Sequence, residues 1–379
     1  MTTSPENDIA LGQPTVGDEE LAAVAEVFRS GWLAGQGPAC REFEAEFAQA
    51  LGVGHAVAVS NCTAALHLAL LAYRVGPGDE VIVADHTFPA TGHAVLYAGA
   101  KPVFADVHPA TGCVDPGAVA ALIGPRTVGV IAVDNAGLPA DYADLAAIAG
   151  QHGLFLIEDA ACSAGATYRG VPAGRLAPVA CFSFHGRKGI TSGEGGALVT
   201  DDPQLAALAR SRQAFGISSA LARATDRGLS VPAFTDLGHN YKLSDIAAAI
   251  MRVQLRRLPD LLARRRQIAA GYQALLGDLP MLRLPTVPHD REHAWQSYVL
   301  LLADEFDRGD VAGRLREQGI GCNIGTYACH LQPVYASTQH CPVSRHLFEH
   351  GIAIPMHANL TDEQVERVAT TLRSVLTSR

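Results

Sequence analysis

Short apolar runs alternate with longer stretches of helical spacing along the first half of the chain. The runs are rich in Val, Ile, Leu and Ala, as buried strands are. They lie at 55–60, 81–84, 101–107, 127–133, 154–157, 179–184 and 197–200. Helices are predicted at 13–29, 39–51, 61–71, 91–98, 115–123, 142–151 and 202–215. This alternation predicts an α/β fold whose sheet is mostly parallel, with helices on both faces.

The second half of the chain follows a different pattern. An irregular segment, 216–238, is long for a loop and indicates a lid or an interface. A helix follows and is expected to end near Pro259, and another spans about 260–276. After a linker that two prolines bound, the predicted elements are strands 297–302 and 321–324, helix 310–318, a His/Pro-rich loop and a final helix from Thr361.

A chain of 379 residues is long enough for about two domains. We expect a large domain over residues 1–250, which includes the N-terminal helical segment. A smaller α+β domain is expected over 251–379, and helices at about 243–276 would join the two.

Charge and cysteine content narrow the class of protein. The formal net charge of -9 and the lack of a basic tract argue against nucleic-acid binding. The first residues are polar and acidic, unlike a signal peptide, and no apolar run approaches the roughly 20 residues needed to cross a membrane. The eight cysteines form no CxxC pair, so we expect reduced thiols, no metal site and a cytoplasmic location.

Four polar stretches follow apolar strands of the predicted sheet. They are Ser60-Asn61, His86 to Phe88, Glu158-Asp159 and Ser183 to Lys188. Ligands of parallel sheets bind at the carboxyl ends of the strands. We therefore expect these stretches to converge on one edge of the sheet.

Lys188 is the candidate nucleophile of this edge. It lies in a Gly-rich loop between two buried strands, and the chain has only two other lysines, Lys101 and Lys242. A desolvated lysine has a lowered pKa, and its neutral amine is a nucleophile. The alternative is a solvated loop lysine with no chemical role.

Two further features complete a site of recognisable chemistry. The strand that runs into Ser60-Asn61-Cys62-Thr63 presents a helix start, which either binds an anion or is merely capped by its own side chains. Asp159 is expected to be buried, either in an ion pair with an arginine or opposite a protonated ring nitrogen. With Lys188, and with Phe88 to cover a ring, this set matches the protein side of pyridoxal phosphate chemistry.

Several motifs together resemble the DegT/DnrJ/EryC1/StrS aminotransferases, which modify sugars and cyclitols. These motifs are Ser60 to Leu68, Gly76 to Val83, Thr87 to Thr91, Tyr97 to Phe104, Glu158 to Ala161, Cys181 to Lys188 with Gly193 to Gly196, and Asn240-Tyr241. The resemblance runs from about residue 10 to the C-terminus. It implies an aspartate-aminotransferase-like fold (pyridoxal phosphate fold type I) with a seven-stranded type of sheet, and pyridoxal 5'-phosphate as cofactor.

The resemblance also implies a role for individual positions. Lys188 would bond to the cofactor and then carry the proton between cofactor and substrate carbon. Asp159 would keep the ring nitrogen protonated, and Phe88 would stack on the ring. The phosphate would be bound by Thr63, the backbone at Cys62, and Ser183. Asn240 would reach the phosphate from the partner subunit of a homodimer with shared active sites.

Two positions depart from the family pattern. The family usually has Gly where this chain has Cys62, so the approach of backbone to phosphate is altered. It often has Gln or His where this chain has Cys162, near the cofactor's ring hydroxyl. Neither departure removes a group that transamination requires.

The expected function is therefore amino transfer from glutamate or glutamine to a small keto acceptor. The acceptor is a keto sugar, which is expected to be nucleotide-linked, in amino-sugar, antibiotic or glycan biosynthesis. The alternatives are a keto cyclitol, a sugar dehydratase of the same family and a non-catalytic regulatory homologue. Family dehydratases carry His where this chain has Lys188, which disfavours that alternative. A dinucleotide-dependent oxidoreductase ranks last, because no G-x-G-x-x-G follows the first strand.

Five side chains are candidates for contact with the acceptor, although each also has a packing explanation. They are Trp32, His185, Glu194, Tyr327 and His330.

Overall fold

A computed structural model describes residues 8–217 and 233–378 of the chain. Residues 1–7, 218–232 and 379 lie outside the described part, and so does most of the segment 216–238 that was predicted as a lid or an interface. The helices are α1 Asp18–Ser30, α2 Pro38–Leu51, α3 Cys62–Ala72, α4 Ala90–Tyr97, α5 Pro116–Leu122, α6 Tyr142–His152, α7 Pro203–Arg212, α8 Asp245–Leu276, α9 Arg308–Glu317, α10 Pro342–His350 and α11 Asp362–Thr377.

The strands are short, and most of the longer ones lie in the first half of the chain. They are β1 His55–Val59, β2 Glu80–Ala84, β3 His86–Thr87, β4 Lys101–Ala105, β5 Thr127–Val133, β6 Phe155–Asp159, β7 Thr167–Tyr168, β8 Val171–Pro172, β9 Val179–Ser183, β10 Gly196–Thr200, β11 Leu282–Arg283, β12 Arg291–Glu292, β13 Tyr298–Leu302, β14 Asn323–Ile324, β15 Tyr327–Ala328 and β16 Gly351–Ile354.

A seven-stranded sheet in the order β1-β10-β9-β6-β5-β2-β4 organises the first 200 residues. Strands β9, β6, β5, β2 and β4 are parallel to their neighbours in that series, whereas β10 runs antiparallel to both β1 and β9. Helices pack on both faces, so the strands are buried almost throughout. The predicted sheet is confirmed, and the carboxyl ends of its parallel strands meet at one edge.

The smaller sheet has the order β11-β13-β16-β14 and is antiparallel. The prediction of a His/Pro-rich loop before the last helix was wrong, because this region contains α10 and β16. Pro342 lies in the first turn of α10, where the missing N–H leaves no intrahelical bond unmade. Strand β16 has only four residues, too few to show a period of two, yet it lies in the interior of the sheet.

Helix α8 is continuous through Pro259, so the predicted break there was also wrong. A proline inside a helix costs about 3 kcal/mol. Burial of a large apolar side chain contributes about 1.5–3 kcal/mol. Met251 and Leu261 pack in one core, and Ile268 and Tyr272 pack in another. Packing on both sides of Pro259 therefore outweighs the local cost.

The core around the smaller sheet also includes residue Ile9 from the start of the described chain. Its N–H donates to the carbonyl of Gly319 at 2.8 Å. The N-terminal segment therefore packs against the C-terminal part, and the domain division at residue 250 stays a prediction. Among the described helices, none combines the length and apolar character that a bilayer crossing requires.

Candidate active site

A cavity of about 990 Å³ opens at the carboxyl edge of the large sheet. One side is formed by residues that follow the parallel strands, and the other by the segment 323–327 and by residues of β16. Most of the predicted site residues line this cavity: Asn61, Cys62, Thr63, Phe88, Asp159, Cys162, Ser183, His185, Lys188, Glu194 and Tyr327. The predicted convergence of the polar stretches at one edge is observed in the structure.

Asp159 is the buried acid of the cavity and is only 4% exposed. Thr91 Oγ1 donates to its Oδ2 at 2.8 Å, and the N–H of Ala161 donates to Oδ1 at 3.2 Å. Burial raises the pKa of Asp159, although these hydrogen bonds and the charge of Lys188 act in the opposite direction. Within the described residues no arginine forms an ion pair with this carboxylate. The Asp159 carboxylate is therefore held in place, and it can pair with a cationic ring nitrogen.

Lys188 lies on the same cavity, and its Nζ donates to Cys162 Sγ at 3.1 Å. Desolvation acts to lower the pKa of Lys188, but the hydrogen bond to Cys162 and the charge of Asp159 act in the opposite direction, and the net effect is a raised pKa. The net direction is therefore opposite to the one that desolvation alone would give. Burial of Lys188 and its place on the same edge as Asp159 were anticipated from the sequence, whereas its hydrogen bond to Cys162 was not.

The start of helix α3 lies at one end of the cavity. Asn61 caps the helix, because its Oδ1 accepts from the N–H of Ala64 at 2.8 Å. The N–H groups of Cys62 and Thr63 precede the first intrahelical bond and lie at the cavity. A Cβ on Gly196 would approach the Cys62 nitrogen to 2.6 Å, so glycine is needed for β10 to pack against this turn. Capping by Asn61 therefore leaves the Cys62 and Thr63 N–H groups for an anion, and the two alternatives drawn from the sequence are compatible.

These residues fit pyridoxal phosphate, the cofactor that the resemblance implies. The helix start and Ser183 offer donors for a phosphate. Asp159 is a buried carboxylate suited to a pyridinium nitrogen, and Lys188 supplies the amine. Phe88 is 58% exposed at the cavity, and its ring meets Tyr327 edge-on at 6.0 Å between centroids. An aromatic face is thus available beside the acid and the amine.

The candidate acceptor residues separate into two groups. His185 and Glu194 line the cavity, with 3.7 Å between His185 Nε2 and Glu194 Oε1. Tyr327 lines it as well, on a strand that pairs with β3. Trp32 lies outside the cavity lining and is exposed. His330 is also outside it, buried with its Nδ1 at 2.6 Å from Asp85 Oδ2.

Asn240 lies outside the cavity of its own chain. It is exposed, and its side-chain oxygen accepts from Lys242 Nζ. Its neighbour Tyr241 lines the cavity instead. A contact of Asn240 with the phosphate of the same chain is therefore not formed, and its role across a dimer stays a prediction.

Among the polar residues that line the cavity but were not identified from the sequence, two contact Asp159. Thr91 is one, and its position three residues after Phe88 on the first turn of α4 was a usable signal. Asp134 is the other and follows β5 as Asp159 ends β6. It accepts from Tyr142 O–H at 2.8 Å and Ser163 O–H at 2.5 Å, and burial raises its pKa to about 7.

Three relatives illustrate what the chain is similar to. It is 35% identical to the spore coat polysaccharide biosynthesis protein SpsC of Bacillus subtilis strain 168, over 96% of each chain. The aminotransferase TlmJ from Streptoalloteichus hindustanus has 36% identity and a TM-score of 0.92, with 98% of this chain and 100% of TlmJ covered.

A structure of Spr1654 from Streptococcus pneumoniae in its PLP-form has a TM-score of 0.91 at 26% identity, with 97% of this chain and 98% of Spr1654 covered. A family model matches nearly the whole chain, from residue 14 to residue 373. The amine, the buried acid and the open helix start thus occur in a chain that belongs to the DegT/DnrJ/EryC1/StrS aminotransferase family, whose members are pyridoxal-phosphate-dependent enzymes.

Proposed function

We propose that this aminotransferase moves an amino group from glutamate or glutamine to a nucleotide-linked keto sugar. The observation that carries the proposal is the presence of Lys188 and Asp159 on one cavity of about 990 Å³. Pockets for small ligands usually measure about 300–1,000 Å³. This cavity therefore has room for a cofactor together with a sugar. The name of SpsC, a polysaccharide biosynthesis protein, supports a sugar acceptor.

The residues of the large sheet would hold the cofactor. The N–H groups of Cys62 and Thr63 and the hydroxyl of Ser183 would bind its phosphate. Asp159 would keep a proton on the ring nitrogen through a charge-assisted hydrogen bond. Bound pyridoxal phosphate supplies the electron sink that lets the amino group pass between donor and acceptor.

Lys188 would act as the acid and base of the reaction. Its Nζ would accept a proton from the substrate carbon and return it at the neighbouring position. The fold places this amine on the same cavity as Asp159 and desolvates it, which limits proton exchange with bulk solvent. Cys162, which contacts the amine at 3.1 Å, would fix its direction.

The acceptor would enter from the side of the cavity that His185, Glu194 and Tyr327 form. These groups offer hydrogen bonds to sugar hydroxyls, and Tyr327 also offers an apolar face. These contacts would determine which ring position of the sugar receives the amine, whereas Lys188 and Asp159 would carry out the amino transfer itself.

We also propose a homodimer in which each subunit completes the site of the other. Apolar side chains are exposed near the segment that carries Asn240: Phe215 at 47%, Phe234 at 66% and Leu237 at 81%. A second subunit would cover them and bring its Asn240 to the phosphate. Free cysteines, seven of them buried, suit a reaction in the cytoplasm.

Visible absorbance tests the central assignment. Purified protein with added pyridoxal phosphate is expected to show the band of the lysine-bound cofactor, and Lys188→Ala should lose it. Lys101→Ala is the matched control, because Lys101 is exposed at the start of β4. A band that persists in Lys188→Ala, or its absence from the parent protein, would refute the assignment.

A second experiment separates the possible acceptors. The protein is first converted with glutamate, and nucleotide-linked keto sugars and keto cyclitols are then added separately. Recovery of the original band with a nucleotide sugar supports the proposal. Recovery with the cyclitol alone indicates the cyclitol alternative, and a deoxy sugar product without amine transfer indicates a dehydratase. Failure with every donor would favour a regulatory homologue.

A further inference from the structure

Cys162 differs from the other seven cysteines of the chain. Those seven are buried, whereas Cys162 is partly exposed and lines the large cavity. Cys62 also borders the cavity, but burial raises its pKa well above the usual value, which keeps that thiol protonated and unreactive. Small oxidants that enter the cavity therefore meet one partly exposed thiol, that of Cys162.

The accessible sulfur lies against an amine. Lys188 Nζ is 3.1 Å from Cys162 Sγ, at the distance of a hydrogen bond. The residues are 26 positions apart in the sequence, so the contact is made by the fold and not by chain neighbours. An atom that can be oxidised and an atom that can attack it are thus already in contact.

We propose that Cys162 and Lys188 form an oxidation-sensitive pair, which a peroxide converts into a reversible sulfur–nitrogen bond between the two side chains. The modification site is this pair, and the reactant is hydrogen peroxide or an organic hydroperoxide. The product is a covalent bridge that removes the free amine from the cavity.

The chemistry balances in two steps. In the first, the thiol of Cys162 attacks the peroxide, the O–O bond breaks, and a sulfenic acid and one water form with hydrogen peroxide as the oxidant. In the second, the amine of Lys188 attacks the sulfenic sulfur, the S–O bond breaks, and an S–N bond and a second water form. Sulfur is oxidised, peroxide is reduced, and the protein loses two hydrogen atoms.

The surroundings of the amine act on it in two directions. Desolvation acts to lower the pKa of Lys188, whereas the hydrogen bond to Cys162 and the charge of Asp159 act to raise it. Oxidation changes the sulfur that accepts this hydrogen bond. The neutral amine, which desolvation favours, is the form that attacks sulfur.

Reduction restores both groups. Two equivalents of a small thiol return the Cys162 thiol and the Lys188 amine and become a disulfide. The bridge therefore acts as a reversible block of Lys188. The effect on catalysis rests on the proposed function, whereas formation of the bond does not. Cofactor bound at Lys188 would protect the pair, because the amine is then occupied.

Peptide mass spectrometry after peroxide treatment tests the proposal directly. Cofactor-free and cofactor-loaded protein are each treated with hydrogen peroxide, digested and mapped. A linked pair of peptides containing Cys162 and Lys188, two hydrogens lighter than their sum, is expected in the cofactor-free sample. Dithiothreitol should remove it, and pyridoxal phosphate added before the peroxide should reduce its yield severalfold.

Matched variants show which atoms are needed. Cys162→Ser and Lys188→Arg should both abolish the linked peptide, whereas Cys322→Ala, in the core around the smaller sheet, should leave it unchanged. Cys162→Ala is a second variant without the thiol. Circular dichroism on all four variants shows whether each of them is folded. A linked peptide that persists in Cys162→Ser would overturn the proposal.

Other outcomes are equally informative. Oxidation of Cys162 to sulfinic acid without a link, or preferential oxidation of another cysteine, would overturn the proposal. A link that retains one oxygen atom would overturn the assigned S–N bond. If the linked peptide forms but the unoxidised protein binds no cofactor, the proposed function fails and the pair stands. If cofactor binds and no link forms, the reverse is true.

Discussion

The two walls of the cavity are built in different ways. The inner wall consists of Cys62, Thr63, Asp159, Ser183 and Lys188, which stand at the ends of parallel strands or at a helix start. Its side chains are held by several partners, as the hydrogen bonds of Asp159 show. An inner wall fixed this firmly can hold a group in one orientation for reaction.

The outer wall consists of His185, Glu194 and Tyr327. The side chains of His185 and Glu194 are 41% and 71% exposed, and 3.7 Å separates their nearest charged atoms. Tyr327 lies on a strand of two residues. The side chains of His185 and Glu194 are exposed, so substitutions of these two residues cost little stability.

The difference assigns separate duties to the two walls. Chemistry demands positions held within about 0.5 Å, which buried and multiply bonded residues provide. Recognition of a particular sugar can change through exposed residues without disturbing those positions. The following variants test this division, from the largest expected effect to the smallest.

Asp159→Asn should damage the inner wall most, because the amide keeps the shape and loses the charge. Loss of electrostatic stabilisation in a buried site costs about 10²–10³-fold in rate. We expect a decrease of that size in the rate of the half-reaction with glutamate, followed by stopped-flow absorbance.

Asp115→Asn is a matched control, since Asp115 caps helix α5 outside the cavity lining. A rate within about threefold of the parent for Asp159→Asn would show that the charge is not needed.

His330→Ala tests how the outer wall is attached. His330 lies three residues after Tyr327, and its ring pairs with the fully buried Asp85 at 2.6 Å. Removal of the ring leaves a buried carboxylate without this partner and should lower the free energy of unfolding by about 2–3 kcal/mol. Urea denaturation measures it.

The double variant Asp85→Asn, His330→Ala should recover part of this loss, because no charge then remains buried. If His330→Ala were as stable as the parent, the pair of His330 and Asp85 would not stabilise the attachment of the outer wall.

Thr91→Val removes the hydroxyl that donates to Asp159 at 2.8 Å. This hydrogen bond lowers the pKa of Asp159 against the upward effect of burial. The carboxylate is the active form, so activity falls as pH drops through its pKa, and the variant should lose activity at a higher pH than the parent. A loss of about tenfold in kcat is also expected.

The measurement is the pH dependence of kcat, with Thr91→Ser as the variant that keeps the hydroxyl and should resemble the parent. An unchanged acidic limb in Thr91→Val would contradict the role of the hydrogen bond.

Glu194→Gln should have the smallest effect, confined to the acceptor. An exposed charge contributes little, so KM for the acceptor is expected to rise about two- to fivefold while kcat stays within about twofold. Steady-state kinetics with the keto acceptor that restores the cofactor band measures both. A decrease in kcat larger than the change in KM would place Glu194 with the inner wall.

The sequence was most informative about the inner wall. Strands β5, β6 and β9 each contain a short apolar run, at 130–133, 155–157 and 179–182. The order and spacing of these runs place the polar residues that follow them at one edge of a sheet. Lys188 and Asp159 were located for this reason. The hydrogen bond from Lys188 to Cys162, which acts to raise the pKa of the amine, was not foreseen, because it is a tertiary contact between residues 26 positions apart.

The C-terminal part was less predictable because its elements are short or depend on tertiary contacts. Strand β16 and helix α10 carry too few residues for a clear period. Pro259 predicts a helix end from local sequence, but packing on both sides of it keeps α8 continuous. Histidine is a common active-site residue, so His330 was a reasonable candidate from the sequence. The structure instead pairs its ring with the buried carboxylate of Asp85.

Helix α8 has a mechanical consequence for the whole molecule. At 32 residues it is about 48 Å long, and it contributes side chains to the core of the large sheet and to that of the smaller one. A twist of one core against the other would have to bend this rod or pull its side chains from one of the cores. The two halves should consequently melt together, as a single calorimetric transition.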